Sequence, residues 1–288
     1  MYMKHSKQFG DIIVQPYEPK YHQEVEDFEL SERQMIYSSL PKQVLDDALK
    51  DKDRIANIAI NQKGEVVGFF VLHQYYQHEG YDTPEHVVYV RSLSINEKFQ
   101  GNGYGTKIMM NLPNYVQSLY SDFNHLYLVV DAENKAAWNV YERAGFMHTA
   151  TKQEGPIGEE RLYYLDLDSK YVSSLKLKAP DEQPDKEIDT VHLMLDGQKV
   201  GFIALQATEN RMHIRGIEVD KDKRHKGIAE SALRQLVTYI RKTYPEIEVL
   251  DIVLFGEHNE LKPLCLNSNF VATLQTEDYV KFEKYIVY

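Results

Sequence analysis

Gly101, Gly103 and Gly105 stand at alternate positions after a β-rich run, Val87–Ile95, and just before an amphipathic run that starts at Thr106. A strand feeding a tight glycine turn and then a helix aims several free main-chain amides the same way, with the helix dipole behind them. Such a cluster can cradle a pyrophosphate. Two commoner phosphate loops fit these residues poorly. A nucleotide P-loop closes a longer loop with Gly-Lys-Ser/Thr, whereas this loop closes Gly105-Thr106. The dinucleotide fingerprint needs a third glycine where Thr106 stands.

The segment that holds this loop occurs twice. Residues 91–146 return at 215–270 without a gap: subtracting 124 from Arg215, Gly227, Tyr239, Tyr244 and Phe270 gives Arg91, Gly103, Tyr115, Tyr120 and Phe146. The apolar pairs Leu93/Ile217, Ile95/Val219, Leu112/Leu236, Leu126/Leu250 and Val129/Val253 agree as well. A repeat of that length means two copies of one fold.

The elements that must hold the first loop can be read from periodicity. Residues 12–14 read as a strand, 21 to about 50 as helical with a break near Pro41, and 55–60 with 66–73 as a hairpin turning at Gln62-Lys63-Gly64. Residues 78–84 form a loop. Ile108, Leu112, Tyr115, Val116 and Leu119 give a helix one apolar face, and Pro113 should kink it. Residues 126–130 read as a buried strand, 134–144 as a helix stopped by Gly145, and 147–167 as a last hairpin turning near 155–158. The stretch 169–190 is Lys-rich, then holds Pro180 and Pro184, and reads as a linker. The expected domains are therefore 1–168 and 191–288. The second repeats the hairpin around Asp196-Gly197 but lacks the two helices that precede it in the first.

Composition narrows the function. At 288 residues and 43% apolar content the chain can build two cores, and no run approaches the ~20 apolar residues of a membrane span. A net charge of -11 argues against a nucleic-acid partner and suits a cationic small substrate. Cys265 is the only cysteine and no His pair shows the i, i+4 spacing with a glutamate that suggests a zinc site, so neither a disulfide framework nor a metal is expected. The polar start, residues 1–10, carries no apolar signal core, and a cytoplasmic protein is expected.

Gln100-x-x-Gly103-x-Gly105 resembles the acyl-CoA-binding signature of the GNAT acetyltransferase superfamily, and Arg224-x-x-Gly227-x-Ala229 matches it again in the second copy. Asn134, Tyr141 and Gly145-Phe146 look like that family's second signature, on the following helix. The resemblance covers most of residues 1–168 and the C-terminal half more loosely. It implies an α+β (mixed α/β) fold of two GNAT-like domains, each a twisted, mostly antiparallel sheet with splayed fourth and fifth strands flanked by helices. It further implies a bulge in the fourth strand, 87–95, and a CoA arm on the main chain of Leu93, Ser94 and Ile95. The pyrophosphate would rest behind Gln100 on the amides of Gly101, Asn102, Gly103, Tyr104, Gly105 and Thr106, with Asn134 touching the arm from the other side. Acetyl-CoA is the implied co-substrate, a small-molecule amine the acceptor, and Tyr141 the acid that protonates the departing thiolate.

The base stays open. The family's strand glutamate falls on Tyr89, and Glu79, Glu85, His86 and His73 lie nearby in sequence, while titration through water is a further route. Residues 29–48 also resemble the substrate-side helices of bacterial diamine and polyamine acetyltransferases, which assigns Glu29, Glu32, Gln34 and Tyr37 to the acceptor, with both glutamates on one helix face. In the second copy Cys265 replaces the tyrosine, His258 the asparagine and Asn269 the glycine, and the two pocket-walling helices are missing, so that half is expected to be non-catalytic. His213 at the family's glutamate position is the one feature that points the other way. An acyl-CoA sensor or scaffold without turnover is the alternative from another class. Acetylation of an amino acid, an antibiotic or a protein amine is the alternative within enzymes. A homodimer is left open, and no nucleic-acid or membrane partner is expected.

Overall fold

In a computed structural model the described residues are 5–168, 170–185, 187–256 and 261–286, and they form two compact units, Met1–Asp168 and Ser169–Tyr288. The first runs β1 (Lys7–Phe9), β2 (Ile12–Pro16), α1 (His22–Glu26), α2 (Glu32–Met35), α3 (Pro41–Lys50), β3 (Arg54–Asn61), β4 (Val66–Gln74), β5 (Val87–Ile95), α4 (Tyr104–Leu119), β6 (His125–Asp131), α5 (Lys135–Arg143), β7 (Met147–Lys152) and β8 (Glu160–Asp166). Its eight strands lie in the order β1-β2-β3-β4-β5-β6-β8-β7, and only β5 and β6 are parallel neighbours. The second unit runs β9 (Lys176–Lys178), β10 (Asp189–Leu195), β11 (Gln198–Thr208), β12 (Arg211–Val219), α6 (Ile228–Thr243), β13 (Val249–Phe255), α7 (Leu261–Asn267), β14 (Val271–Gln275) and β15 (Tyr279–Tyr285). Its seven strands lie in the order β14-β15-β13-β12-β11-β10-β9, which read in reverse repeats β2-β3-β4-β5-β6-β8-β7 of the first sheet. Again β12 and β13 are the parallel pair, and β1 has no counterpart among the described residues. Each sheet is mixed and mostly antiparallel, so the fold class implied by the resemblance is the one observed.

Two features of the first sheet shape the site. After the pairs Val87↔His125, Val88↔Leu126 and Tyr89↔Tyr127, strands β5 and β6 part company. Beside that split, Val71 pairs with Arg91 and Phe69 with Ser94, so Ser92 and Leu93 together face Phe70 and Ser92 takes a φ of 54°. That is the expected bulge, and it releases main-chain groups from the ladder.

The expected apolar face of α4 packs as the spacing required: Ile108, Leu112, Tyr115 and Val116 are buried against Phe70, Leu72, Val88 and Leu126. The helix is continuous through Pro113. Deep in this core the Tyr115 hydroxyl donates to Asn57 Oδ1 at 2.6 Å, and both residues are 0% exposed. Tyr115→Phe leaves that oxygen without its donor and should cost about 1–3 kcal/mol, read as a lower urea midpoint with an unchanged slope.

The opposite sheet face is covered by α1 and α3, through Val25, Leu45 and Ala48 on Ile58, Phe69 and Val71. Here the structure corrects the expectation of long helices over 21–50. Ser31 caps α2, its Oγ accepting from the Gln34 amide at 3.4 Å and its own amide donating to Gln34 Oε1 at 3.1 Å. The helix therefore starts at Glu32, Glu29 lies outside it, and the shared face expected for Glu29 and Glu32 does not form. The expected break is there, between the end of α2 at Met35 and Pro41, which opens α3 at the first turn, where its missing N–H is not needed, behind an extended Leu40.

The second unit has no helix between β9 and β10 among the described residues. The same sheet face carries a charged ladder instead: Arg211 Nη1 and Lys281 Nζ meet Glu283 Oε1 at 2.6 and 2.7 Å, and His213 Nδ1 meets Asp251 Oδ1 at 2.8 Å. A face so charged needs no apolar cover. Within the stretch 169–190, strand β9 pairs with β10 and Leu175 is buried in the second core, because the chain there supplies both hydrogen bonds and apolar area. Among the described residues no helix is long and apolar enough to cross a membrane, and no group of three metal-ligating side chains occurs.

Candidate functional site

The glycine loop is built by backbone. Gly101 and Gly103 hold φ of 78° and 75°, where any other residue is strained, and a side chain grafted at either would point into open space. Gly103 is the N-cap of α4 and offers no side-chain cap, so the first-turn amides of Tyr104, Gly105 and Thr106 lack intrahelical partners. Asn102 turns inward, its Nδ2 donating to Phe99 O at 3.0 Å and to Gln100 O at 3.2 Å. Gln100 braces the loop, with Nε2 donating to Ile95 O at 3.0 Å and to Gln34 Oε1 at 2.6 Å. Gly105 packs 3.5 Å (from the place a Cβ would take) against Ile95 Cγ1, which brings the helix close to the strand.

At the β5–β6 split lies a cleft of about 340 Å³ whose walls include Tyr37, Tyr89, Leu93, Asn134 and Tyr141. A volume of that size suits a small-molecule site. Tyr141 is 9% exposed, its ring centroid 6.3 Å from those of Phe146 and Tyr163. Burial pushes its hydroxyl up to about 12, so it stays protonated at neutral pH. Asn134 caps α5, its Oδ1 accepting from the Ala137 amide at 3.3 Å.

The four acceptor residues expected from the sequence do not gather. Only Tyr37 lines the cleft. Glu29 pairs with Lys98 at 3.2 Å, Gln34 is engaged by Ser31 and Gln100, and Glu32 lies in the first turn of α2. Of the four nearby base candidates, none lines the cleft. His73 stacks on Tyr76 at 4.7 Å, and desolvation, then Arg54 and Arg91, lower its pKa. His86 lies against Tyr75 and Phe123, with centroids 5.7 and 6.0 Å away. The cleft walls do include two carboxylates the sequence did not single out, Asp131 and Glu160. Nothing local marks them, since each stands at a strand end where a solvated charge is ordinary.

The second unit keeps the loop and fills it. Gly227 has a φ of 80° and caps α6, and Arg224 Nε donates to Val219 O at 2.9 Å as Gln100 does to Ile95. Yet a Cβ on Gly227 would lie 1.7 Å from the carbonyl oxygen of Lys170. The same segment is pinned by Val172 N donating to Ser231 Oγ at 2.7 Å and by Tyr171 under the Arg234 guanidinium at 5.7 Å. Cys265 is 1% exposed and burial pushes its thiol up to about 11. Asn269 adopts a φ of 62°, taking over the left-handed helix stop of Gly145. His258 lies outside the described residues.

The profile of the acetyltransferase (GNAT) family matches residues 21–146 and residues 159–257, most of the chain. Among curated proteins of Bacillus subtilis (strain 168), the uncharacterized N-acetyltransferase YbbJ is 30% identical over 155 residues, 54% of this chain and 96% of that protein. A spermine/spermidine N(1)-acetyltransferase of the same strain is 28% identical over 120 residues, 42% of this chain and 77% of its own length. Among solved structures, an acetyltransferase (GNAT family) from Bacillus anthracis covers 57% of this chain and 99% of its own, with 16% identity and a TM-score of 0.47.

Proposed function

Since this chain belongs to the acetyltransferase (GNAT) family, we propose that its first unit transfers the acetyl group of acetyl-CoA to a primary amine of a small molecule, by direct attack in a ternary complex. What supports this most is the company of three features in one unit: the uncapped amides at the start of α4, the β5–β6 split, and the protonated Tyr141 lining the cleft at that split. The diphosphate of CoA rests on the amides of residues 101–106, and the pantetheine arm runs along the bulged stretch Leu93–Ile95 with Asn134 opposite. A diphosphate at a helix start gains both hydrogen bonds and the helix dipole.

The acceptor nitrogen sheds a proton and attacks the thioester carbonyl. A main-chain amide near Leu93 meets the developing oxyanion. As the C–S bond breaks, Tyr141 gives its proton to the thiolate, and the second proton lost by the nitrogen restores the balance. Polyamines are the first acceptor class to try, because a curated relative is a spermine/spermidine N(1)-acetyltransferase. The second unit, with its loop covered by residues 170–172, is assigned no turnover.

Acetyl-CoA titrated calorimetrically into the protein should bind, and a panel of amines should release free thiol with at least one member. Lack of CoA binding removes the proposal. CoA binding without thiol release from any amine converts the protein into a sensor.

A further inference from the structure

Asp131 and Glu160 are directly opposed in the β6–β8 ladder, and both line the cleft. Like charges facing one another across a ladder repel, and a buried carboxylate without a partner is costly. Glu160 is 8% exposed, and its Oε2 is buried with no hydrogen-bond partner among the described residues. Asp131 Oδ1 accepts from the Glu133 amide at 2.9 Å, but its Oδ2 is buried and equally alone.

The cations around them are committed elsewhere. Lys152 pairs with Glu160 across the β7–β8 ladder, yet its Nζ donates to Glu79 O at 3.2 Å. Arg161 turns to Glu159 at 3.3 Å. Arg91, which also lines the cleft, lies over the Tyr76 ring, 5.1 Å from its centroid, with Nη1 3.4 Å from His73 Nδ1.

Aromatic rings complete the recess. Tyr76 and His78 lie 5.0 and 5.7 Å from Tyr89, and all three rings line the cleft. Tyr81 stands 5.4 Å from His78, and burial, then the Glu160 charge, push its hydroxyl up to about 12. Two uncompensated carboxylates beside stacked rings form the chemistry that recognises an alkylammonium, by ion pairing and by cation–π contact.

We propose that Asp131 and Glu160, with the rings of Tyr76, His78 and Tyr89, receive the positively charged end of the acceptor, and that Glu160 sets the specificity for aliphatic ammonium substrates. The proposal rests on the acyl-transfer reading above only for calling this cation the acceptor. Glu160 lies against a glycine: a Cβ on Gly155 would stand 2.2 Å from Glu160 Cγ and 2.6 Å from the Gly158 carbonyl oxygen, so Gly155→Ala shifts the carboxylate and its turn without removing the charge.

The test is calorimetric binding of butane-1,4-diamine, with butane-1,4-diol as the neutral control, to wild type, Glu160→Gln and Gly155→Ala, each with and without saturating CoA. The wild type should bind the diamine and ignore the diol. Both variants should bind the diamine at least tenfold more weakly while their affinity for CoA stays unchanged. Because the substitution removes an unpaired buried charge, the Tm of Glu160→Gln should equal or exceed that of the wild type; a purely structural glutamate would give a lower Tm. Equal diamine affinity in wild type and Glu160→Gln, or no binding to wild type, overturns the proposal. Should CoA fail to bind, the acyl-transfer reading falls separately, and the arm without CoA still decides the recess.

Discussion

Tyr141→Phe should lower kcat by about 100-fold or more and leave the KM for acetyl-CoA nearly unchanged, because general acid catalysis typically contributes at least that much. The residue is placed for such a role. Its ring is buried and lines the cleft, and desolvation holds the hydroxyl protonated well above the ordinary tyrosine range. The sign of its pH dependence follows. An acid whose pKa is raised to about 12 remains in its donating form through the neutral range, so loss of this proton should not limit kcat until the pH exceeds ~10. The hydroxyl makes no hydrogen bond among the described residues, so its deletion should barely change the denaturation midpoint. Comparable kcat in the two proteins, under conditions where thiol release reports the chemical step, assigns the proton to another donor. A loss matched by a fall in stability makes the tyrosine structural.

A calorimetric titration of the whole chain should give one CoA per polypeptide, and the two loop glycines should fail in opposite ways. Gly103→Asp places a β-carbon in left-handed backbone, which costs about 1–2 kcal/mol, and sets a negative charge where the diphosphate would lie. CoA affinity should fall at least 100-fold while the fold survives, since the space beyond Gly103 is open. Gly227→Ala should leave CoA affinity untouched. It drives a methyl into the Lys170 carbonyl, and the clash plus the left-handed strain should destabilise the second unit by about 2–4 kcal/mol in urea denaturation. Two CoA molecules per chain, or loss of CoA binding in Gly227→Ala, would refute the assignment of the cradle to the first loop alone.

Local chemistry explains which features were legible from residues. The glycine turn after β5 requires left-handed backbone that few other residues adopt, and the apolar spacing of α4 can bury only one face, so both were readable in one dimension. The offset of 124 exposed the tandem for the same reason: two copies of one core repeat the same burial pattern. Short capped segments were harder. The run 21–50 has helical composition throughout, yet Ser31 with Gln34 and then Pro41 set where α2 and α3 begin, and the Gln34 side chain was spent on that cap and on Gln100 instead of a substrate.

Resemblance to a family signature singled out Tyr141, whereas the order of residues alone specifies a repeated sheet-and-helix unit and a glycine turn with free amides after residue 100. Each of these depends on backbone conformation or on periodicity within a few turns. Folding in three dimensions decided the rest: that Asp131 and Glu160, far apart in sequence, face each other in the cleft, and that Lys170 closes on Gly227 of the second loop while, among the described residues, the space beside Gly101 and Gly103 of the first is open. Such juxtapositions depend on strand register and on which segment crosses which helix end, and no short window of sequence records either.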